Sequence, residues 1–199
     1  MNKTTRPLDI DEYRNALEAI SEGFTYMDTD GRQHKFRRNP QLAMVCQIQA
    51  NMGLRISDLL NLKMNSIKKD GGRYALDIVE QKTGKHRGFT VPAELYESIC
   101  NYALENGIKK TERLFPITER AAQKQLKIVG EYLGIDELST HSFRKTFARS
   151  AYEDNGMDIE LVRELLQHSS ITTTQRYLGC SSKKIEAALK NTTKRFLII

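Results

Sequence analysis

Cysteine is scarce: Cys46, Cys100 and Cys180 are all there are in 199 residues. They are odd in number, far apart and without a CxxC pair, so neither a disulfide framework nor a zinc module is expected. Long hydrophobic runs are missing as well. No stretch approaches the roughly 18 apolar residues of a membrane span, and the start, MNKTTRPLDIDEYR, lacks the apolar segment of a secretory leader. A reducing, cytoplasmic setting without a membrane partner is the expectation. Proline is limited to 4 residues and glycine to 12, with no repeat, low-complexity tract or flexible linker that would separate one domain from another. Several common chemistries also lack their signatures. There is no G-x-S-x-G, no H-E-x-x-H and no G-x-x-x-x-G-K-[ST], since Gly84-Lys85 has no earlier glycine in register.

What is present is ordinary for a globular protein: 39% hydrophobic and 28% charged residues, at a length that can bury a core without staples. The net charge of +6 permits an acidic partner such as nucleic acid without specifying one. Periodicity predicts a mostly α chain with one small antiparallel sheet, an α+β class. A first helix is expected over 9–20, with Leu17 and Ile20 on one face. Residues 21–39, with Asp30-Gly31 and the basic Lys35, Arg37 and Arg38, read either as a loop or as a short hairpin through Phe24 and Tyr26. A helix from Pro40 should end at Gly53, and a shorter one should carry Ile56, Leu59, Leu60 and Leu62. Over 64–91 the period falls to two. Tyr74, Leu76 and Ile78 share a face, Phe89 and Val91 return, and Asp70-Gly71-Gly72 and Thr83-Gly84 turn the chain. Helices follow over 93–106, 118–133, 140–154 (capped by Thr140), 158–167, 170–178 and 182–196, the last running into Phe196-Leu197-Ile198-Ile199.

Six polar groups stand out against this background. His141 and Arg144, three apart at a helix start, share a face. His168 closes a helix striped with Ile159, Val162, Leu165 and Leu166, and Tyr177 follows nine residues later. Arg55 sits in Gly53-Leu54-Arg55-Ile56-Ser57-Asp58-Leu59-Leu60, and Lys82 precedes the Thr83-Gly84 turn. Each has a bland explanation alone. Arg55 with Asp58 at i, i+3 fits a helix ion pair, and Lys82 with Lys85 and Arg87 fits a solvated hairpin tip. His34 and His86 read as surface residues. The joint order and spacing favour a functional set.

That set resembles the tyrosine recombinases, also called phage integrases, over most of the chain. Residues 53–60 fit the family's G-L-R-hydrophobic-S-acidic-hydrophobic-hydrophobic box, and His141-Ser142-Phe143-Arg144 supplies its H-x-x-R box. His168 and Tyr177 keep the family's spacing. Gln81-Lys82-Thr83-Gly84 matches the hairpin that carries its lysine, with Lys85 as the competitor three residues on. Two positions depart from the common pattern: Gln167, where Gly often precedes the later histidine, and Lys145, where His often follows the second arginine. The resemblance implies a catalytic-domain fold and metal-free cleavage of double-stranded DNA through a 3′-phosphotyrosine, with no cofactor. Arg55 and Arg144 would stabilise charge on the phosphate, helped by His141 and His168. Tyr177 would be the nucleophile, Lys82 the acid for the leaving 5′ oxygen, and Asp58 an auxiliary carboxylate orienting Arg55. It also implies a homo-tetramer on synapsed DNA, a monomer when free, and a tail exchanged between protomers. Only about fifty residues precede Arg55, so residues 1–199 are expected to form one catalytic domain without a separate N-terminal clamp. Either the chain is a piece of a longer protein or it is a single-domain recombinase akin to DNA invertases. Type IB topoisomerase-like relaxation and a non-catalytic DNA-binding regulator are the rival functions.

Overall fold

Residues 5–178 are described in a computed structural model of the chain. Cys180, the helix expected over 182–196 and the apolar end lie outside the described residues. The chain divides into two compact units, one reaching Phe147 and the other beginning at Ala148.

In the first unit, α1 (Ile10–Glu22) starts at Asp9 for a local reason. The Asp9 carboxylate accepts the Glu12 N–H at 2.8 Å, and the Glu12 carboxylate accepts the Asp9 N–H at 3.0 Å. Of the two readings left open for 21–39, the hairpin is the one that forms. β1 (Gly23–Met27) pairs antiparallel with β2 (Gln33–Arg37), from Gly23↔Arg37 to Met27↔Gln33. Its two-residue alternation puts Phe24 and Phe36 on the inner face, where Phe24 stacks between Phe36 and Tyr132. At the turn, Asp28 accepts the N–H groups of Asp30 and Arg32, both at 2.9 Å.

Next, α2 (Pro40–Met52) is capped by the Asn39 side chain on the Leu42 N–H and ends at Gly53, whose φ is 57°. A Cβ at Gly53 would lie 2.3 Å from the Phe147 ring, so glycine answers both a left-handed turn and a close approach. A short α3 (Ile56–Leu59) follows. Residues 64–91 then hold five short strands: β3 (Ile67–Asp70), β4 (Arg73–Leu76), β5 (Ile78–Val79), β6 (His86–Arg87) and β7 (Thr90–Val91). The single sheet expected here is two: β3-β4-β7 in that order, and a separate β5-β6 pair. Asp77 lies between β4 and β5; its N–H donates to the Ser66 carbonyl, prolonging the β3-β4 ladder, and its carboxylate holds Lys68 and His86. Phe89 lies between strands rather than in one.

The helices α4 (Ala93–Glu105), α5 (Glu119–Leu133) and the start of α6 (Thr140–Asp154) complete this unit. Thr140 does not cap α6. It is already helical, its buried Oγ1 lacks a hydrogen-bond partner among the described residues, and the Ser142 hydroxyl instead accepts the Ser139 N–H at 3.2 Å. Two cores result. One joins α2, α3, the three-stranded sheet and α4 through Val45, Ile48, Leu59, Leu76, Val91 and Ile99. The other joins α1, the hairpin, the opposite side of α2 and α5 through Ile20, Phe36, Leu42, Cys46, Leu126 and Phe143. Serving both, α2 is apolar nearly all round.

In the second unit, the Asp158 carboxylate caps α7 (Ile159–Leu166) at the Glu160 and Leu161 N–H groups, and Val162 and Leu166 are fully buried. α8 (Ile171–Leu178) packs on α7. Among the described residues, no helix is long and apolar enough to cross a membrane.

Candidate active site

Arg55 is placed by the abrupt end of α2. Gly53 turns the chain, Leu54 is buried, and Arg55 takes an extended conformation (φ −68°, ψ 145°) as the residue before α3. Although Asp58 stands three residues on, the expected Arg55–Asp58 ion pair does not form. The Arg55 guanidinium pairs instead with Glu80. One of the buried Asp58 carboxylate oxygens accepts the Gln81 N–H at 2.8 Å, fixing the backbone beside Lys82, and the other lacks a hydrogen-bond partner among the described residues.

The β5-β6 hairpin carries Lys82 and Lys85 exposed on a tight loop. Glu80 N–H donates to the Lys85 carbonyl and Gly84 N–H to the Glu80 carbonyl, each at 2.9 Å, and Gly84 takes a left-handed φ of 65°. Arg87 departs from the solvated-tip reading: it is fully buried. Alternation in β6 sends His86 outward and Arg87 inward. There Arg87 donates to Glu80 at 2.9 Å and to the Met52 carbonyl at 2.8 Å, and its charge lies 4.7 Å from the Phe89 ring centroid. Burial works to raise the Glu80 pKa, but hydrogen bonds from Arg87 and Thr83 and the charges of Arg55 and Arg87 outweigh it. Glu80 is held below the usual carboxylate range.

Sequence reasoning missed Glu80 and Arg87. Glu80 had a signal, because the inward period 74, 76, 78 continues to 80. Arg87 had the matching signal, because the period of Val91 and Phe89 continues back to 87.

His141 and Arg144 come from the first turn of α6. Arg144 is almost wholly buried, and its guanidinium donates to the Gly53 carbonyl. Two arginines thus hold consecutive carbonyls at the end of α2, Arg87 on Met52 and Arg144 on Gly53, where the helix dipole favours positive charge. His141 is exposed along one side, yet its pKa is lowered. Desolvation by surrounding protein is the largest cause, followed by the charge of Arg144; Lys145 and Lys82 add to the effect and Glu119 opposes it. His141 is therefore chiefly neutral at pH 7. Lys145, at the departing position, reaches the Thr5 carbonyl. Within the first unit, Glu80 holds Arg55 and the Thr83 hydroxyl next to Lys82, Asp58 holds the Gln81 N–H, Arg144 holds the Gly53 carbonyl, and the charges of Arg144 and Lys82 reach His141.

In the second unit, the rings of His168 and Tyr177 meet edge to face, with centroids 5.3 Å apart and planes at 76°. His168 Nδ1 lies 3.1 Å from Thr174 Oγ1, and its main chain is held by Arg163 from both ends, N–H to carbonyl at 3.0 Å and guanidinium to carbonyl at 3.1 Å. Gln167, the other departure, closes α7 at φ 52°, a left-handed position that explains why glycine suits it. No group of three or more potential metal ligands occurs among the described residues.

The sequence model of the Phage integrase family matches residues 9–183. A Bacillus subtilis (strain 168) protein named probable integrase/recombinase YoeC is 30% identical over 166 residues, covering 80% of this chain and 88% of its own. Tyrosine recombinase XerA of Pyrococcus furiosus is 34% identical over 149 residues, covering 69% of this chain but 50% of its own length. The chain thus spans about half of that Xer relative. Among solved structures, the catalytic domain of bacteriophage HP1 integrase superposes with a TM-score of 0.62 at 22% identity, over 98% of this chain and all of its own. XerH bound to palindromic difH in a post-cleavage complex gives 0.68 at 24% identity, over 94% of this chain and 53% of that one. At these identities the structural likeness establishes the fold.

Proposed function

Because this chain belongs to the phage integrase family, we propose that it is a site-specific recombinase that breaks and rejoins double-stranded DNA. Tyr177 Oη attacks the scissile phosphorus, forming a bond to the 3′-phosphate as the bond to the 5′ oxygen breaks. The phenolic proton passes to an imidazole of the set, and the Lys82 ammonium gives its proton to the departing 5′ oxygen. Arg55 and Arg144 carry the charge that builds on the non-bridging oxygens. Attack by a 5′ hydroxyl of a second strand reverses the step and rejoins the DNA. Neutral His141 suits hydrogen bonding or proton acceptance better than the role of a third fixed cation.

The observation that carries this reading is the bond from Arg144 to the Gly53 carbonyl, which ties the two arginine boxes together although 91 positions separate them. On synapsed sites the protein works as a homo-tetramer and is a monomer when free.

Nicked suicide DNA tests the reading. The wild-type chain should form an SDS-resistant adduct that Tyr177→Phe abolishes while DNA binding stays near wild type. An adduct of full yield in that variant overturns the assignment of Tyr177. Binding with no adduct in the wild-type chain points to a regulator, and relaxation of supercoils without strand exchange points to topoisomerase-like chemistry.

A further inference from the structure

Lys82 is exposed on a loop whose strands contribute only two residues each, so β-pairing alone holds that loop weakly. The buried carboxylate at its base supplies further anchoring. One Glu80 oxygen accepts from Arg55 and, at 2.9 Å, from the Thr83 hydroxyl next to Lys82. The other accepts from Arg87 at 2.9 Å, and Arg87 in turn holds the carbonyl that ends α2. Glu80 and Arg87 are both fully buried, so water does not dilute these contacts. One carboxylate therefore joins the loop that bears Lys82, the guanidinium of Arg55 and the helix end that places Arg55.

We infer that Glu80 is a positioning residue that sets the Lys82 loop in register with Arg55. It touches neither DNA nor the reacting atoms. It acts through Thr83 on the place of the lysine and through the ion pair on the direction of the guanidinium. This rests on the roles given above to Lys82 and Arg55. Fixing the acid and the phosphate ligand to one anchor means that a shift of either is felt by the other, and misplacement of about 1 Å is costly in a group-transfer step.

The test compares cleavage of two suicide DNAs by the full chain, one with oxygen and one with sulfur at the bridging 5′ position. A thiolate leaves without an acid, so the ratio of sulfur to oxygen rates reports the placement of the acid, which a general loss of packing does not change. Glu80→Gln should lower the oxygen rate about tenfold or more and the sulfur rate less. Thr83→Val, which removes one exposed hydroxyl and leaves the ion pair, should raise the same ratio about threefold or more. If Glu80→Gln proves unfolded by circular dichroism, Thr83→Val decides alone. A ratio within about twofold of wild type in every folded variant overturns the proposal. Lys82→Ala separates the two levels of the argument. If sulfur does not rescue it, the acid assignment fails and the positioning role falls with it. If sulfur rescues Lys82→Ala while the other ratios stay flat, the positioning role alone fails.

Discussion

A guanidinium that serves a phosphate needs a fixed direction as well as a charge. Part of the direction of Arg144 comes from the Gly53 carbonyl, which accepts from one end of its guanidinium. Lysine at this position cannot hold the carbonyl and present a planar fork at once. Arg144→Lys is expected to cut the adduct-forming rate about 10²-fold or more, with EDTA leaving the wild-type rate unchanged. A strict Mg²⁺ requirement for strand cleavage would count against both arginine roles. At this scale the motif residues were legible because their types and spacing are chemically constrained. Glu80 and Arg87 were legible only through the two-residue period of their strands, because by residue type a buried ion pair inside a basic hairpin looks in sequence like surface charge.

At the level of elements, the hairpin with its buried carboxylate and the turn after α2 answer to different perturbations. Glu80 has its pKa depressed in the folded chain, so its contribution is fully present above the unfolded glutamate value of about 4.3 and is lost as pH falls through the folded value. Wild type should therefore lose stability in that acid window by a component that Glu80→Gln lacks, read from melting curves between about pH 5 and 3. The Gly53 turn should respond to bulk instead. Gly53→Ala would bring a Cβ within 2.3 Å of the Phe147 ring at a left-handed position, and a destabilisation of about 1–3 kcal/mol is expected. A melting temperature equal to wild type would show that Phe147 moves aside without penalty. The helices and the C-cap at Gly53 were readable because period and turn chemistry are local. Two features were not. The split of the 64–91 sheet falls between β4 and β5 on one side and β6 and β7 on the other, an interruption within one common register that side-chain periodicity does not mark, and the start of α6 was misread because Ser139, Thr140 and Ser142 carry the same hydroxyl chemistry within four positions.

For the whole molecule, the distribution of charge matters more than the modest net of +6. Several acids at or near the surface are already engaged: Glu12 by Arg6, Asp77 by Lys68 and His86, Glu153 by Arg149 and Glu160 by Arg163. Lys35, Arg37 and Arg38 on the first hairpin, and Lys82 and Lys85 on the second, are exposed and make no ion pair among the described residues. Such groups are available to phosphates, so DNA binding should be driven largely by counterion release. With a slope near 0.9 in log K per phosphate met, about five contacts would weaken binding roughly twenty-fold for each doubling of salt. Lys35→Ala with Arg37→Ala should flatten that slope by up to about 2 if the first hairpin meets the duplex, and leave it unchanged if only the second does. Fluorescence anisotropy on random duplex from 50 to 400 mM salt reads both. Nanomolar affinity that barely changes across this range would contradict an electrostatic origin of binding and require apolar or base-edge contacts to supply the affinity.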